Sequence, residues 1–292
     1  MTILKVNHKT VYRYREPVTL GEHRLMCRPR DSHDLRLIDT TLTISPPTRS
    51  LRWLHDVFGN SIAIAEFDSP AQELHIESGF RFEHYPAPAQ AIEIEPYAAK
   101  FPFNYSAEEA ADLGRTQEHH YPDPERKVDT WAKALLGKVA GGGTLDVLIA
   151  MTNEIKSQFS YARREEMGVQ TPLDTLSLGT GSCRDFAVFM MEAARSFGLA
   201  ARFVSGYLYD EKLIGAAGGL MGGGATHAWV QIYLPGAGWV EFDPTNALVG
   251  GRNLIRVAVA RDASQAAPLT GSFTGPSDAF LSMEVNVEVA AE

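Results

Sequence analysis

The stretch Gly181-Ser182-Cys183-Arg184-Asp185-Phe186-Ala187 constrains the chain most, because it puts a turn, a helix start and a reactive side chain next to one another. Ser182 and Asp185 stand at the Ser-x-x-acid spacing of a capping box, which predicts a helix beginning at Cys183. Ala187, Val188, Met190, Met191, Ala194 and Phe197 then recur at helical spacing, so this helix should be pinned into the core. A thiol on its first turn meets the unpaired N–H groups and the positive end of the macrodipole, which favour thiolate over thiol. The same N–H groups offer a cradle for an oxyanion.

Most free cysteines are small buried hydrophobes, and a nucleophile needs a base and a group to orient it. A second stretch supplies both. Thr226-His227-Ala228-Trp229-Val230-Gln231-Ile232-Tyr233-Leu234 and Trp239-Val240-Glu241-Phe242-Asp243-Pro244-Thr245 read as two strands joined by Pro235-Gly236-Ala237-Gly238. His227 would be the base and Asp243 the orienting carboxylate. Side chains alternate faces along a strand, so the two meet only if paired residue numbers across the turn sum to an even number. A three- or five-residue loop does this, for example with Tyr233 opposite Trp239, whereas a four-residue loop pairing Leu234 with Trp239, without a bulge, puts them on opposite faces.

Gly-Ser-Cys-Arg-Asp-Phe-Ala, Ala201-Arg202-Phe203-Val204-Ser205-Gly206-Tyr207, Thr-His-Ala-Trp and Phe-Asp-Pro-Thr resemble the core of bacterial transglutaminase-like proteins. Asn7-His8-Lys9-Thr10-Val11-Tyr12-Arg13-Tyr14 and Leu25-Met26-Cys27-Arg28-Pro29-Arg30 resemble the β-rich N-terminal region that accompanies that core. The resemblance implies an α+β fold with a papain-like core, helices packed on an antiparallel sheet, and a Cys-His-Asp triad at Cys183, His227 and Asp243. It also makes Gly168-Val169-Gln170-Thr171-Pro172 the usual approach to the cysteine. Gln170 is the candidate second oxyanion donor beside the Cys183 N–H, the alternative being that it only satisfies loop backbone.

Three parts are expected: a β-rich N-terminal domain over 1–95, a catalytic core over 96–260, and a C-terminal loop and strand over 261–292. In the first, Leu74, Ile76, Phe80 and Phe82 alternate with polar residues, and Leu4, Val6, Thr10, Tyr12 and Tyr14 share one parity. These are half-buried antiparallel strands of a sandwich-like domain. Pro86-Ala87-Pro88 and Pro96 mark a linker, after which helices are predicted from Ser106, over 124–139 and over 144–161. Residues 163–180 show no regular period. Ala201 to Tyr209 reads as a strand through the middle of the core sheet, and the glycine-rich run 215–224 as a flap over the cleft. Residues 261–279 read as loop. Met283, Val285, Val287 and Val289 alternate as a strand seeking a sheet edge, with the N-terminal domain as its expected partner.

A net charge of −9 argues against nucleic acid or anionic lipid as the main partner, and the thiol chemistry makes a protein or peptide the expected substrate. Cys27 and Cys183 are the two cysteines, so no disulfide framework is implied, and Cys27 is expected to be structural. No signal-like N-terminus or membrane-length apolar run is apparent, and a cytoplasmic location is expected. The scattered His8, His23, His33, His55, His75 and His84, and the adjacent pair His119-His120, have no recognisable metal spacing. No metal and no cofactor is expected. The chemistry points to amide-bond hydrolysis through a thioester on Cys183, the alternatives being acyl transfer from glutamine to an amine and a binding module without turnover.

Overall fold

A computed structural model describes residues 2–85, 92–164, 166–209, 221 and 223–292. The α+β expectation holds, with two antiparallel β layers and the helices gathered on the second.

The N-terminal layer is built on one long strand, β1 (Thr2–Arg28), with β2 (Leu35–Ser45), β3 (Ser50–His55), β4 (Ser61–Glu66) and β5 (Ala71–His84) in the order β2-β5-β1-β4-β3. The two halves of β1 serve different sheets. Its first half pairs with β5, Leu4 opposite Phe82, and its second half pairs with β4, Leu25 opposite Ala63. The sandwich-like curl therefore comes from a single strand running from one sheet into the other. The alternation in β5 is realised, since Leu74, Ile76, Phe80 and Phe82 are all buried.

Among the described residues four α-helices precede Cys183: α1 (Ala107–Leu113), α2 (Lys127–Leu136), α3 (Thr144–Gln158) and α4 (Pro172–Leu178). Ser106 caps α1 in a capping box with Glu109. α4 lies where no period was legible. It is too short to show one, but Thr171 accepts the N–H of Asp174 as N-cap and Pro172 occupies the first turn, which is a legible start signal. The two-residue strands β6 (Ser160–Tyr161) and β7 (Thr180–Gly181) pair in parallel just before α5 (Cys183–Arg195).

The core sheet has the order β11-β10-β9-β8-β12, from β8 (Ala201–Leu208), β9 (His227–Leu234), β10 (Gly238–Asp243), β11 (Leu248–Val249) and β12 (Leu254–Ala260), all antiparallel. β8 is interior, between β9 and β12, and β9 is the central strand. α5 packs on this sheet in one apolar cluster with Ala228, Val230, Ile232 and Phe242. Every α5 residue except Arg184 is buried. Its buried charges are satisfied, with Arg195 donating to Glu192 Oε1 at 2.6 Å and to the Ala201 carbonyl at 2.8 Å. The other face of the sheet meets the N-terminal layer, where Tyr207, Ile255 and Val257 pack on Leu4, Val6, Phe80 and Phe82.

The chain then returns to its first strand. β14 (Phe280–Ala291) pairs with the first half of β1, Val6 opposite Val289, as the alternation of Met283 to Val289 foretold. Leu269–Thr274, read from sequence as loop, is a strand, β13, paired with the second half of β1. Its pattern was hidden because only Leu269 and Phe273 are partly buried and a glycine sits between them. The flap expected over 215–224 lies outside the described residues except for Met221, Gly223 and Gly224, and the Pro86-Ala87-Pro88 linker lies outside them entirely. Among the described residues no helix is long and apolar enough to cross a membrane.

Candidate active site

Local sequence fixes Cys183 in place. Ser182 is the N-cap, and Asp185 Oδ2 accepts both its N–H and its hydroxyl at 2.8 Å. The other oxygen of Asp185 accepts the Gln170 N–H at 2.7 Å and Arg164 at 2.8 Å. One wholly buried carboxylate thus ties the approach segment to the start of α5. Gly181 is required here, since a Cβ would stand 2.9 Å from that of Asp185.

The hairpin has the register that the pair requires. Leu234 faces Gly238, Tyr233 faces Trp239 and Val230 faces Phe242 across the three-residue turn Pro235-Gly236-Ala237. His227 and Asp243 therefore share a side of the ribbon, and His227 Nε2 meets Asp243 Oδ2 at 2.9 Å with both side chains inaccessible to solvent. Asp243 also accepts the N–H of Thr245 at 2.9 Å and of Asn246 at 3.4 Å, and the Asn246 amide at 2.8 Å. That cage holds the carboxylate in a single orientation.

Burial alone would drive the His227 pKa down. The charge and hydrogen bond of Asp243 outweigh it, Cys183 adds to them, and the pKa is raised to about 10. Burial pushes the Asp243 pKa up, but His227, Asn246 and Thr245 hold it below the ordinary aspartate value. With Nε2 on Asp243, the nitrogen left for the thiol is Nδ1, which is buried and takes no well-aligned hydrogen bond among the described residues. Cys183 nonetheless interacts with the ring.

Trp229 lies nearly parallel to His227, with ring centroids 5.9 Å apart and planes 26° apart. Its Nε1 donates to Glu241 at 2.8 Å. Its ring is seated over Gly206, where a Cβ would come within 2.6 Å of the indole and 2.1 Å of the Ile255 carbonyl oxygen. Sequence reasoning missed this support for the imidazole. The i, i+2 spacing of His227 and Trp229 was its only signal.

Gln170 is anchored by its N–H to Asp185, and its side-chain oxygen accepts the Thr175 hydroxyl at 3.2 Å. Cys27 is buried, and burial pushes its pKa up to about 12. Among the described residues no three His, Cys, Asp or Glu side chains are grouped to hold a metal ion.

Residues 133–244, which contain Cys183, His227 and Asp243, match the transglutaminase-like superfamily, and residues 4–83 match the bacterial transglutaminase-like N-terminal region. The chain belongs to the transglutaminase-like superfamily. An uncharacterized protein of Mycobacterium leprae is 27% identical to this transglutaminase-like protein over 285 residues, covering 97% of this chain and 98% of that one. An uncharacterized protein of Mycobacterium tuberculosis is 28% identical over 294 residues, covering 97% and 91%. The crystal structure of a provisionally named cysteine protease from Cytophaga hutchinsonii superposes with a TM-score of 0.70 at 19% identity, over 99% of this chain and 90% of that one. That likeness establishes the fold of the transglutaminase-like chain from end to end.

Proposed function

We propose that the protein is a thiol-dependent amide-bond hydrolase of the cysteine-peptidase kind, acting on a protein or peptide through Cys183, His227 and Asp243. The observation that carries the reading is the buried His227–Asp243 pair at 2.9 Å, which leaves Nδ1 for a cysteine on the first turn of a buried helix. In the first half-reaction the Cys183 thiolate attacks the amide carbon, the C–N bond breaks, and the His227 imidazolium gives its proton to the departing amine. In the second, water attacks the thioester while His227 takes its proton, the C–S bond breaks, and a carboxylic acid and the thiolate–imidazolium pair result. The Cys183 N–H, with the Gln170 amide as proposed partner, would hold the oxyanion.

Acyl transfer from glutamine to an amine begins identically and diverges only when the thioester meets its second nucleophile. Transfer needs walls that keep water off the thioester. Trp229 is wholly buried and committed to Glu241, while Trp239 lies under the Arg202 guanidinium, 4.1 Å from it. Neither tryptophan is available as such a wall, which supports water as the acceptor. Incubation with a glutamine peptide and excess primary amine, read by mass spectrometry against Cys183→Ala, tests the choice. Hydrolysis products lost in the variant are expected, and mainly amine adduct would overturn the reading. We place this chemistry in the cytoplasm, where both free thiols stay reduced, and fractionation of the native host checks it.

A further inference from the structure

Between the N-terminal layer and the outer face of the core sheet lies a cavity of about 530 Å³, a size typical of small-molecule sites. Its walls include Arg30, Phe58, Arg202, Trp239, Glu241 and Arg256. The acids of this cavity are mostly spent. Glu241 accepts from Trp229, Gln231 and Arg256, and Asp34 accepts from Arg256 and Ser32. Among the described residues Arg202 and Arg30 are the wall arginines without an ion pair; Arg30 reaches only the Phe58 carbonyl, at 3.4 Å, and Arg202 is the more confined. Its Nε donates to Gln231 Oε1 at 2.7 Å, and its plane lies on the Trp239 ring. No carboxylate stands within ion-pair distance of it among the described residues, and its two terminal nitrogens have no protein acceptor there.

The stacking on Trp239 satisfies a face of the guanidinium but not its N–H edge, which carries most of its donors. Burial lowers the Arg202 pKa, Arg256 and Arg30 add repulsion, and Glu241 opposes them only in part. A half-buried cation in this position gains from an anion that completes its fork.

We propose that this cavity binds a small organic monocarboxylate, its carboxylate paired with the terminal nitrogens of Arg202 and its apolar body against Phe58 and Ile92. Asp31, exposed at the mouth, adds a negative charge that disfavours a dianion. The site is separate from the thiol, and the inference does not rest on the proposed hydrolysis.

Calorimetric titration of the full chain with benzoate, at fixed ionic strength and neutral pH, tests it. One-site saturable binding is expected, weakened at least tenfold by Arg202→Met and partly retained in Arg202→Lys. Cys183→Ser should leave it unchanged. If the Arg202 variants do not fold, the thermal midpoint of the wild type should rise with benzoate and not with inorganic phosphate at matched ionic strength. Absence of saturable binding at millimolar benzoate, an equal response to phosphate, or loss of binding in Cys183→Ser would each overturn the proposal.

Discussion

Replacing Asp243 by asparagine keeps the side-chain shape and removes the charge, so it isolates what the carboxylate does. Asp243 accepts four hydrogen bonds in full burial: from His227 and the Asn246 amide on Oδ2, and from the Thr245 and Asn246 N–H groups on Oδ1. An asparagine turns an NH₂ toward one of those pairs, leaving two donors facing a donor. At about 1–3 kcal/mol for each buried donor left unsatisfied, the stability loss should be ~2–6 kcal/mol. The larger effect falls on His227, whose raised pKa depends first on the Asp243 charge, against burial. Without it the imidazolium is no longer favoured, and peptide hydrolysis should fall on the order of 10³-fold, about 4 kcal/mol of barrier. The pH dependence has a definite sign. A raised His227 pKa gives stability that is complete below its unfolded value of 6.5 and is lost as pH rises through about 10. The lowered Asp243 pKa gives stability present above its unfolded value of 3.8 and lost as pH falls through the folded one. Thermal melts from about pH 2 to about pH 11 should show both losses in the wild type and neither in Asp243→Asn. Equal alkaline loss in both proteins, with hydrolysis within twofold, would refute the reasoning.

Gly206→Ala should destabilise by roughly 2–5 kcal/mol, because its Cβ meets the Ile255 carbonyl and the Trp229 ring, and a denaturant melt measures it. Removing residues 279–292 strips β14 from β1 and should lower the thermal midpoint by more than ten degrees; an unchanged midpoint would show the pairing to be dispensable. Iodoacetamide at mildly acidic pH should alkylate Cys183 well before Cys27, which is buried with a pKa near 12, as peptide mass mapping would show. Gln170→Ala should cut kcat about 10- to 100-fold with little change in KM if its amide meets the oxyanion, and loss confined to KM would remove that role.

The placement of Cys183 and the His227–Asp243 pair was legible because its logic is local: a cap fixes where α5 starts, and a period of two fixes which hairpin register unites His227 with Asp243. The return of β14 was legible for the same reason, as an alternating stretch in need of an edge. What sequence did not disclose depends on distant partners. Gln231 and Glu241 alternate with apolar residues, and their burial depends on the N-terminal layer that covers that side of the sheet. Arg202 is ordinary in its strand and becomes notable only where Trp239 and Gln231 confine it. α4 and β13 are too short for periodicity to rise above chance, and only the Thr171-Pro172 cap betrayed the former.

The double duty of β1 has a temporal meaning. A ribosome releases β1 first, but two of its four partner strands, β13 and β14, are translated only after the whole core sheet. Until then the row of backbone groups from Leu4 to Tyr14 that β14 will occupy stands open, beside buried-type side chains, which is the kind of edge that recruits wrong strands. Of these strands β1 therefore waits longest for its last partners. Pairings that span most of the chain also close slowly, so yield during synthesis should depend on how long β1 is kept from foreign edges more than on the final strength of the fold.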